Sequence, residues 1–519
     1  MLKSLMTVSG FTLLSRITGF LRDMLTSYYF GAGTLGDTWV AAFRFPNLFR
    51  RVLGEGAFNS AFVPLYSGKL AEEGKGAAFD FASRILVILS LLLSVLCVVS
   101  YIFMAPITKA LTTGFDAEKL ALATDLSRIT VSYLFFICLV AALSGVLNSH
   151  KKFAAPAFSY VSLNLVFLMG LMGVVPFVDG LQNKVSVMAW CLPIGGFVQL
   201  VIVLLSAWRT GIKFVPKVPK LDSDTIKLGL LMGPGLVSAG IQQLNLLVGQ
   251  WVASFQDGGM SAIFYSDRIN QLPLGLIGIA FGVVLLPDIT QKLRKKQNKE
   301  AQLSLQTGMT MAMLIALPAM LGMMVLAEPI IYGIFKAGEF TAEQAQVAGY
   351  ALFAFALGSP AYVMSKVLQP AYFAREDTKT PMKFTLVSAV VNSILCGIAF
   401  LVLGKGGQLS TGCALATSVA GWVNVSLLLG GLKKSGFLKL SGEFWKRLGK
   451  MLVASMVMGA IVWCGAYMLD DILHSDSRWV RIPVLAAVGG AGVVVYFIVA
   501  HLTKAMTFAE LKAGFKKSS

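Results

Sequence analysis

The sequence predicts an all-α polytopic membrane protein of about 14 transmembrane helices, and three observations carry that prediction. Hydrophobic residues make up 56% of the 519 and charged residues only 13%, with a mean hydropathy of +0.74; a soluble domain carries about 25% charged residues. Apolar runs long enough to cross a bilayer as helices, roughly 20 residues each, recur along the whole chain. The basic residues fall on one side of the resulting topology.

In chain order the runs are 4–29, 34–66, 85–107, 130–147, 157–177, 186–207, 228–253, 260–288, 308–327, 342–371, 384–403, 411–431, 451–469 and 482–502. The first two, the seventh, the eighth and the tenth are interrupted by charge, Pro or Gly. The opening segment "MLKSLMTVSGFTLLSRITGFLRD" has no uninterrupted apolar core ending in a small-residue cleavage site, so it is expected to stay as the first span rather than leave as a signal peptide. With the N-terminus placed in the cytoplasm, 28 of the 44 Lys and Arg lie in cytoplasmic loops and tails, 7 in outer loops (Lys109, Lys119, Lys184, Lys336, Lys405, Arg478 and Arg481), and 9 in or at the edges of spans. That bias is the positive-inside pattern. The net charge of +18 therefore reflects topology, and nucleic acid is not an expected partner. The six cysteines, Cys97, Cys138, Cys191, Cys396, Cys413 and Cys464, all sit in apolar runs without a CxxC spacing and read as small packing residues.

The chain also repeats. At a shift of 223 residues, "NLFRRVLGEGAFNSAFVPLYSGKL" (47–70) lies over "NQLPLGLIGIAFGVVLLPDITQKL" (270–293), matching Asn47 with Asn270 and Pro64 with Pro287. A second echo pairs "SGVLN" (144–148) with "SKVLQ" (365–369). Six spans per half return the chain to the same side, so the repeats are parallel, and transporters built this way hold substrate near the midplane between the halves. The expected domains are a lobe over 1–222, a second lobe over 223–436, and an extra helix pair with a cytoplasmic tail over 437–519.

Charges inside spans then become the candidate site, because each costs at least about 2.5 kcal/mol at the bilayer centre. The first span carries Arg16, Arg22 and Asp23; the second carries Asp37, Arg44, Arg50, Arg51 and Glu55; Asp267 and Arg268 enter the eighth, and Lys366 lies in the tenth. Arg44, Asn47, Arg51 and Glu55 share one helical face, with Pro46 expected to interrupt that helix. Internal ion pairs, Arg51 with Glu55 and Arg22 with Asp37, would account for some of these charges, and residues near the membrane surface can extend their heads to water. The remaining cationic excess favours an anionic ligand, and guanidinium forks favour phosphate. Arg16 and Arg22 are about 120° apart on an ideal helix, and Gly19 between them is expected to relax it and turn both toward a cavity.

"SRITGFLRD", "FGAG", Asp37, "PNLFRRVLGEGAF…AFVP" and "FYSDRIN" resemble the MurJ/MviN family of bacterial lipid II flippases, as do the span number, the two-lobed repeat and the terminal pair. The resemblance implies a multidrug/oligosaccharidyl-lipid/polysaccharide exporter fold with a cationic cavity between two lobes. Arg16, Arg22, Asp37, Arg50, Arg268 and Lys366 match positions that the family uses there. It further implies that the last two helices form a groove for the lipid tail, that lipid II and membrane lipids are partners alongside proteins of cell-wall synthesis, and that the chain resides in the bacterial cytoplasmic membrane with both termini inside. No cofactor is implied; coupling to membrane potential or a cation gradient is. One departure is Gln271, where some relatives carry an acid, and the seventh span (228–253) has no acidic residue to join Asp377 in a cation site.

Other classes fit less well. Neither H-E-x-x-H nor G-x-x-x-x-G-K-[ST] occurs, and the three histidines, His150, His474 and His501, are far apart in the sequence and lie at span ends, so metal hydrolysis, ATP hydrolysis and membrane-embedded catalysis are not expected. A related exporter of another polyprenyl-linked glycan, or of drugs, is the alternative; drug exporters with cationic substrates would favour acids over this set of arginines.

Overall fold

In lipid a spanning segment must satisfy its own backbone hydrogen bonds, which leaves helices and closed barrels. This chain uses helices. The structure, a computed structural model, describes residues 2–51, 58–212, 218 and 222–505. Among them the only strand-like pairing is the isolated bridge between Ala337 and Phe340.

The chain starts with α1 (Leu2–Phe30), α2 (Thr34–Phe49) and α3 (Phe58–Glu72). Six helices then follow: α4 (Gly74–Ile102), α5 (Met104–Leu111), α6 (Ala117–Thr130), α7 (Tyr133–Ser149), α8 (Ala154–Gly173) and α9 (Leu181–Arg209). After α10 (Ser223–Ala253) and α11 (Gly259–Arg294) the same six-helix series returns. It comprises α12 (Asn298–Val325), α13 (Ala327–Phe335), α14 (Ala342–Ala356), α15 (Ser359–Phe373), α16 (Lys379–Leu403) and α17 (Leu409–Lys434). The short α5 and α13 begin at Met104 and Ala327, at the 223-residue shift read from the sequence. In both series one helical segment breaks mid-way, Ala117–Ser149 at Val131–Ser132 and Ala342–Phe373 at Leu357–Gly358; the first break lies at the start of the expected span 130–147, the second in the middle of 342–371. The extra pair is α18 (Gly442–Met468) and α20 (Arg478–Leu502), joined through the one-turn α19 (Asp470–Leu473).

Among the described residues, ten helical segments are long and apolar enough to cross a membrane, which makes this a multi-pass membrane protein. The other four expected runs coincide with α1, with α2 and α3 together, with α10 and with α11. The chain divides into two compact units, residues 1–247 with 337–340, and residues 248–336 with 341–519. The division falls within α10, and the extra pair belongs to the second unit. The first turn of α10 is fastened to the first unit by ion pairs, Arg84 with Asp222 and Lys69 with Asp224 at 2.8 Å. Asp222 also accepts from the Thr225 amide and hydroxyl; its partial burial acts the other way, but these bonds and Arg84 hold its carboxyl below the usual value.

Pro46 does not interrupt α2 as expected. It lies buried inside the helix, which continues to Phe49. A proline within a helix deprives the carbonyl four residues earlier of its donor, here Ala42. The Thr130 hydroxyl of α6 fills that vacancy at 2.7 Å. The same solution recurs in the second unit. Pro318 lies within α12, and the carbonyl four residues before it, Leu314, accepts from the buried Tyr496 hydroxyl of α20 at 2.8 Å. At the α14–α15 break the Leu357 carbonyl accepts from the Trp422 indole of α17 at 2.9 Å. Gly358 permits this crossing, because a Cβ there would lie 2.6 Å from the Ser418 hydroxyl oxygen and 2.7 Å from its Cα.

The extra pair packs on α12 through one apolar core that includes Met309, Leu314, Met451, Met458, Val462, Val488 and Tyr496. In the small-residue run 488–492 Gly492 makes the close approach: a Cβ there would meet Val462 at 2.4 Å. At the expected outer end, Arg481 is fully buried and donates to the carbonyls of Gly333, Ser475 and Lys336. It thus neutralises the carbonyl-rich C-terminus of α13. The sequence places Arg481 in an outer loop; it is instead a buried cap. Beside it His474 touches Glu328 at 3.0 Å through Nε2 and lies 3.1 Å from the Asp470 carboxylate through Nδ1, while Lys336 pairs with Asp476. Partial burial alone would lower the His474 value, but the bond and charge of Glu328, with Asp470, raise it.

Two outcomes follow from these contacts. Thr130→Val and Tyr496→Phe each leave a buried carbonyl without its donor, at a cost of about 1–3 kcal/mol, and should lower the unfolding temperature in detergent; an unchanged transition would show the carbonyls are satisfied otherwise. For His474, the folded value lies above the unfolded one, so the imidazolium contributes fully below the unfolded value and its contribution disappears as pH rises through the raised one. Protection factors for hydrogen exchange over 470–481, corrected for the intrinsic pH dependence of amide exchange, should therefore fall as pH rises through the raised His474 value, and Glu328→Gln should flatten that dependence.

Candidate functional site

The site is built on α1, a single helix from Leu2 to Phe30 with no proline. Arg22 and Asp23 are both buried on it. The Arg22 guanidinium donates to Asp23 Oδ1 through Nε at 3.0 Å and through Nη2 at 2.7 Å, and to Asn164 Oδ1 of α8 through Nη1 at 3.1 Å. Its Cζ stands 5.3 Å from the centre of the Phe167 ring, also on α8. Asn164 in turn donates to the Ser15 carbonyl at 3.0 Å, so one amide ties Arg22 to the preceding turns of its own helix. α1 continues unbroken through Gly19, so that glycine does not relax the helix. It lies against Asn164, where a Cβ would sit 3.4 Å from Nδ2, an ordinary contact.

The other residues singled out from sequence separate into distinct settings. Arg16 is exposed while Arg22 is buried, as their angular separation on one straight helix requires. Asn47 and Arg50 meet at the end of α2, where Arg50 Nε donates to Asn47 Oδ1 at 3.0 Å. Asp37 does not pair with Arg22. It pairs with Lys119 Nζ at 2.8 Å, and the two side chains are 0% and 4% exposed. Lys119, assigned to an outer loop from sequence, lies in the first turn of α6. Glu55, the expected partner of Arg51, is outside the described residues. In the second unit Arg268 lies over the Phe264 ring at 5.2 Å, Gln271 donates to Asp267, and Lys366 is exposed on α15. Asp377 caps α16 by accepting from the Thr380 amide, which with Arg375 keeps its carboxyl below the usual value.

With this geometry established, comparison with known proteins locates the chain. The sequence profile of the family described as "Lipid II flippase MurJ" matches residues 26–473. The chain belongs to the lipid II flippase MurJ family. A Rhizobium tropici protein named "Probable lipid II flippase MurJ" is 35% identical over 521 residues, covering 100% of this chain and 97% of its own. A Rickettsia prowazekii protein of the same name is 33% identical, with 96% of each chain covered. The solved structure titled "Lipid II flippase MurJ, inward closed conformation" aligns with a TM-score of 0.74 at 27% identity, covering 95% of this chain and 98% of that one.

Three residues around the family's candidate site escaped the sequence reading. Asn164 was visible as a solitary amide in the apolar run "SLNLV", a signal that could have been used. Phe167 carried no signal, because an aromatic ring in a membrane helix is ordinary. Lys119 was hidden by its polar neighbours in "FDAEKL", a stretch that reads as part of an outer loop. Asn164→Leu removes the acceptor of Arg22 Nη1 while keeping the volume. We expect this variant to insert normally and to lose roughly tenfold or more in transport, the scale of a hydrogen bond to a charged group. Full specific transport would exclude Asn164 from holding Arg22.

Proposed function

We propose that this chain moves lipid II from the inner to the outer leaflet of the bacterial cytoplasmic membrane, by alternating access of two lobes. The observation that carries this reading is Arg22, a guanidinium buried in a membrane helix and aimed by an amide from α8. Three of its N–H bonds are used on Asp23 and Asn164; a guanidinium has five. Two remain for a phosphate oxygen. Lipid II presents a diphosphate between a polyprenyl tail and a bulky polar head. Arg16, Arg22, Asp23, Asn47, Arg50, Arg268 and Lys366 would hold that headgroup while the tail stays in lipid. The work is binding and release, with no covalent step. In this reading α1 to α9 form the first lobe (1–222), α10 to α17 the second (223–436), and 437–519 the pair along which the tail lies. Fourteen spans leave both termini in the cytoplasm. Membrane potential or a cation gradient supplies the drive, and proteins of cell-wall synthesis consume the product.

The test is headgroup translocation in proteoliposomes holding only this protein, normalised to correctly inserted molecules. Arg→Ala at 16, 22 or 268 should reduce it about ten- to a hundredfold, in line with ~1.5–3 kcal/mol per charged hydrogen bond. Arg→Lys should recover only part, because a point charge replaces a planar fork. Near-normal transport in all three Ala variants would defeat the reading.

A further inference from the structure

We propose that Lys119 and Asp37 are positioning residues: their ion pair pins α2 to α6 and so sets the place of the arginines that take the headgroup. This rests on the transport reading above.

The pair is unusual in its setting. Asp37 has no exposed surface, Lys119 almost none, and Nζ lies 2.8 Å from Oδ2. The ammonium also stands 4.6 Å from the Phe115 ring centre. Asp37 in the first turn of α2 suits the positive end of that helix, but Lys119 in the first turn of α6 opposes its helix dipole. A cation buried at a helix N-terminus is retained against local preference, and such conflicts concentrate where position matters to function. A second clip lies farther along α2, the bond from Thr130 to the carbonyl freed by Pro46. Two attachments to one neighbour fix both the position and the rotation of α2.

The consequence reaches both groups of candidate residues. Two residues beyond Asp37, the Trp39 ring meets Phe167 edge-on at 5.9 Å, and Phe167 is the ring beneath Arg22. At the far end of the same helix Asn47 holds Arg50. Moving α2 therefore disturbs Arg22 through Trp39 and Phe167, and Arg50 directly. Asp37 itself is sealed behind Lys119. It acts through α2 rather than by touching the headgroup.

Buried pairs give a sharp test. Removing one partner leaves an uncompensated charge, whereas replacing both with neutral groups of similar size is far better tolerated. Asp37→Asn and Lys119→Met singly should each lower translocation per inserted molecule by about tenfold and raise the half-saturating lipid II concentration. The double variant, Asp37→Asn with Lys119→Met, should recover most of both quantities. A double variant that inserts normally but stays as inactive as the singles would overturn the proposal, because the carboxylate would then act on substrate or a coupling ion directly. Singles that only reduce the amount of inserted protein, with half-saturation unchanged, would also overturn it by showing a purely structural pair. Spin labels at positions 34 and 125 report α2 against α6 independently of transport: the distance distribution should broaden in the singles and narrow again in the double. If the unsubstituted protein moves no lipid II, the transport reading fails while this distance measurement still decides the pin.

Discussion

A carbonyl that loses its helical donor inside a membrane cannot turn to water, and this structure is arranged around that constraint. Proline and chain breaks open the helices at Ala42, Leu314 and Leu357, and each orphaned oxygen takes a donor from another helix: Thr130, Tyr496 and Trp422. An unsatisfied polar group in hydrocarbon costs several kcal/mol. At these three positions the neighbouring helix supplies the donor that the helix's own ladder lacks. The irregularities of single helices become the attachments between helices, joining α2 to α6, α12 to α20, and the end of α14 to α17.

The same logic governs charge. The buried ionic groups described here are matched at close range: Arg22 by Asp23 and Asn164, Asp37 by Lys119, Arg481 by three carbonyls. Desolvating such groups is expensive, and pairing offsets much of the cost without returning a large surplus. Their value lies in geometry. Arg22 is held at three points with two N–H bonds to spare, which under the proposed function keeps it ordered and unsaturated for an anion.

The helices around Arg22 support one another in sequence. α1 carries the arginine, α8 aims it, and α2 supports α8 through Trp39 against Phe167. The extra pair is attached separately, by Tyr496 within the apolar layer and by Arg481 and His474 at the expected outer rim. Only the rim attachment contains an imidazole, whose charged form Glu328 favours.

The sequence by itself determined the helical class, ten of the spans, the 223-residue repeat and the resemblance to the flippase family, because composition, run length and periodicity are local properties set by transfer of side chains into lipid. It also marked Arg16, Arg22, Asp23, Asp37 and Arg268 as costly charges. It could not assign their partners. Lys119 lies 82 residues from Asp37, Asn164 142 from Arg22, and Tyr496 182 from Leu314. Pairing over such separations is decided by which helix faces touch, and the tertiary structure alone settles that. The expectations about Pro46 and Gly19 failed for the same reason. Each was judged by its effect on an isolated helix, whereas Thr130 stabilises one position and Asn164 occupies the space beside the other.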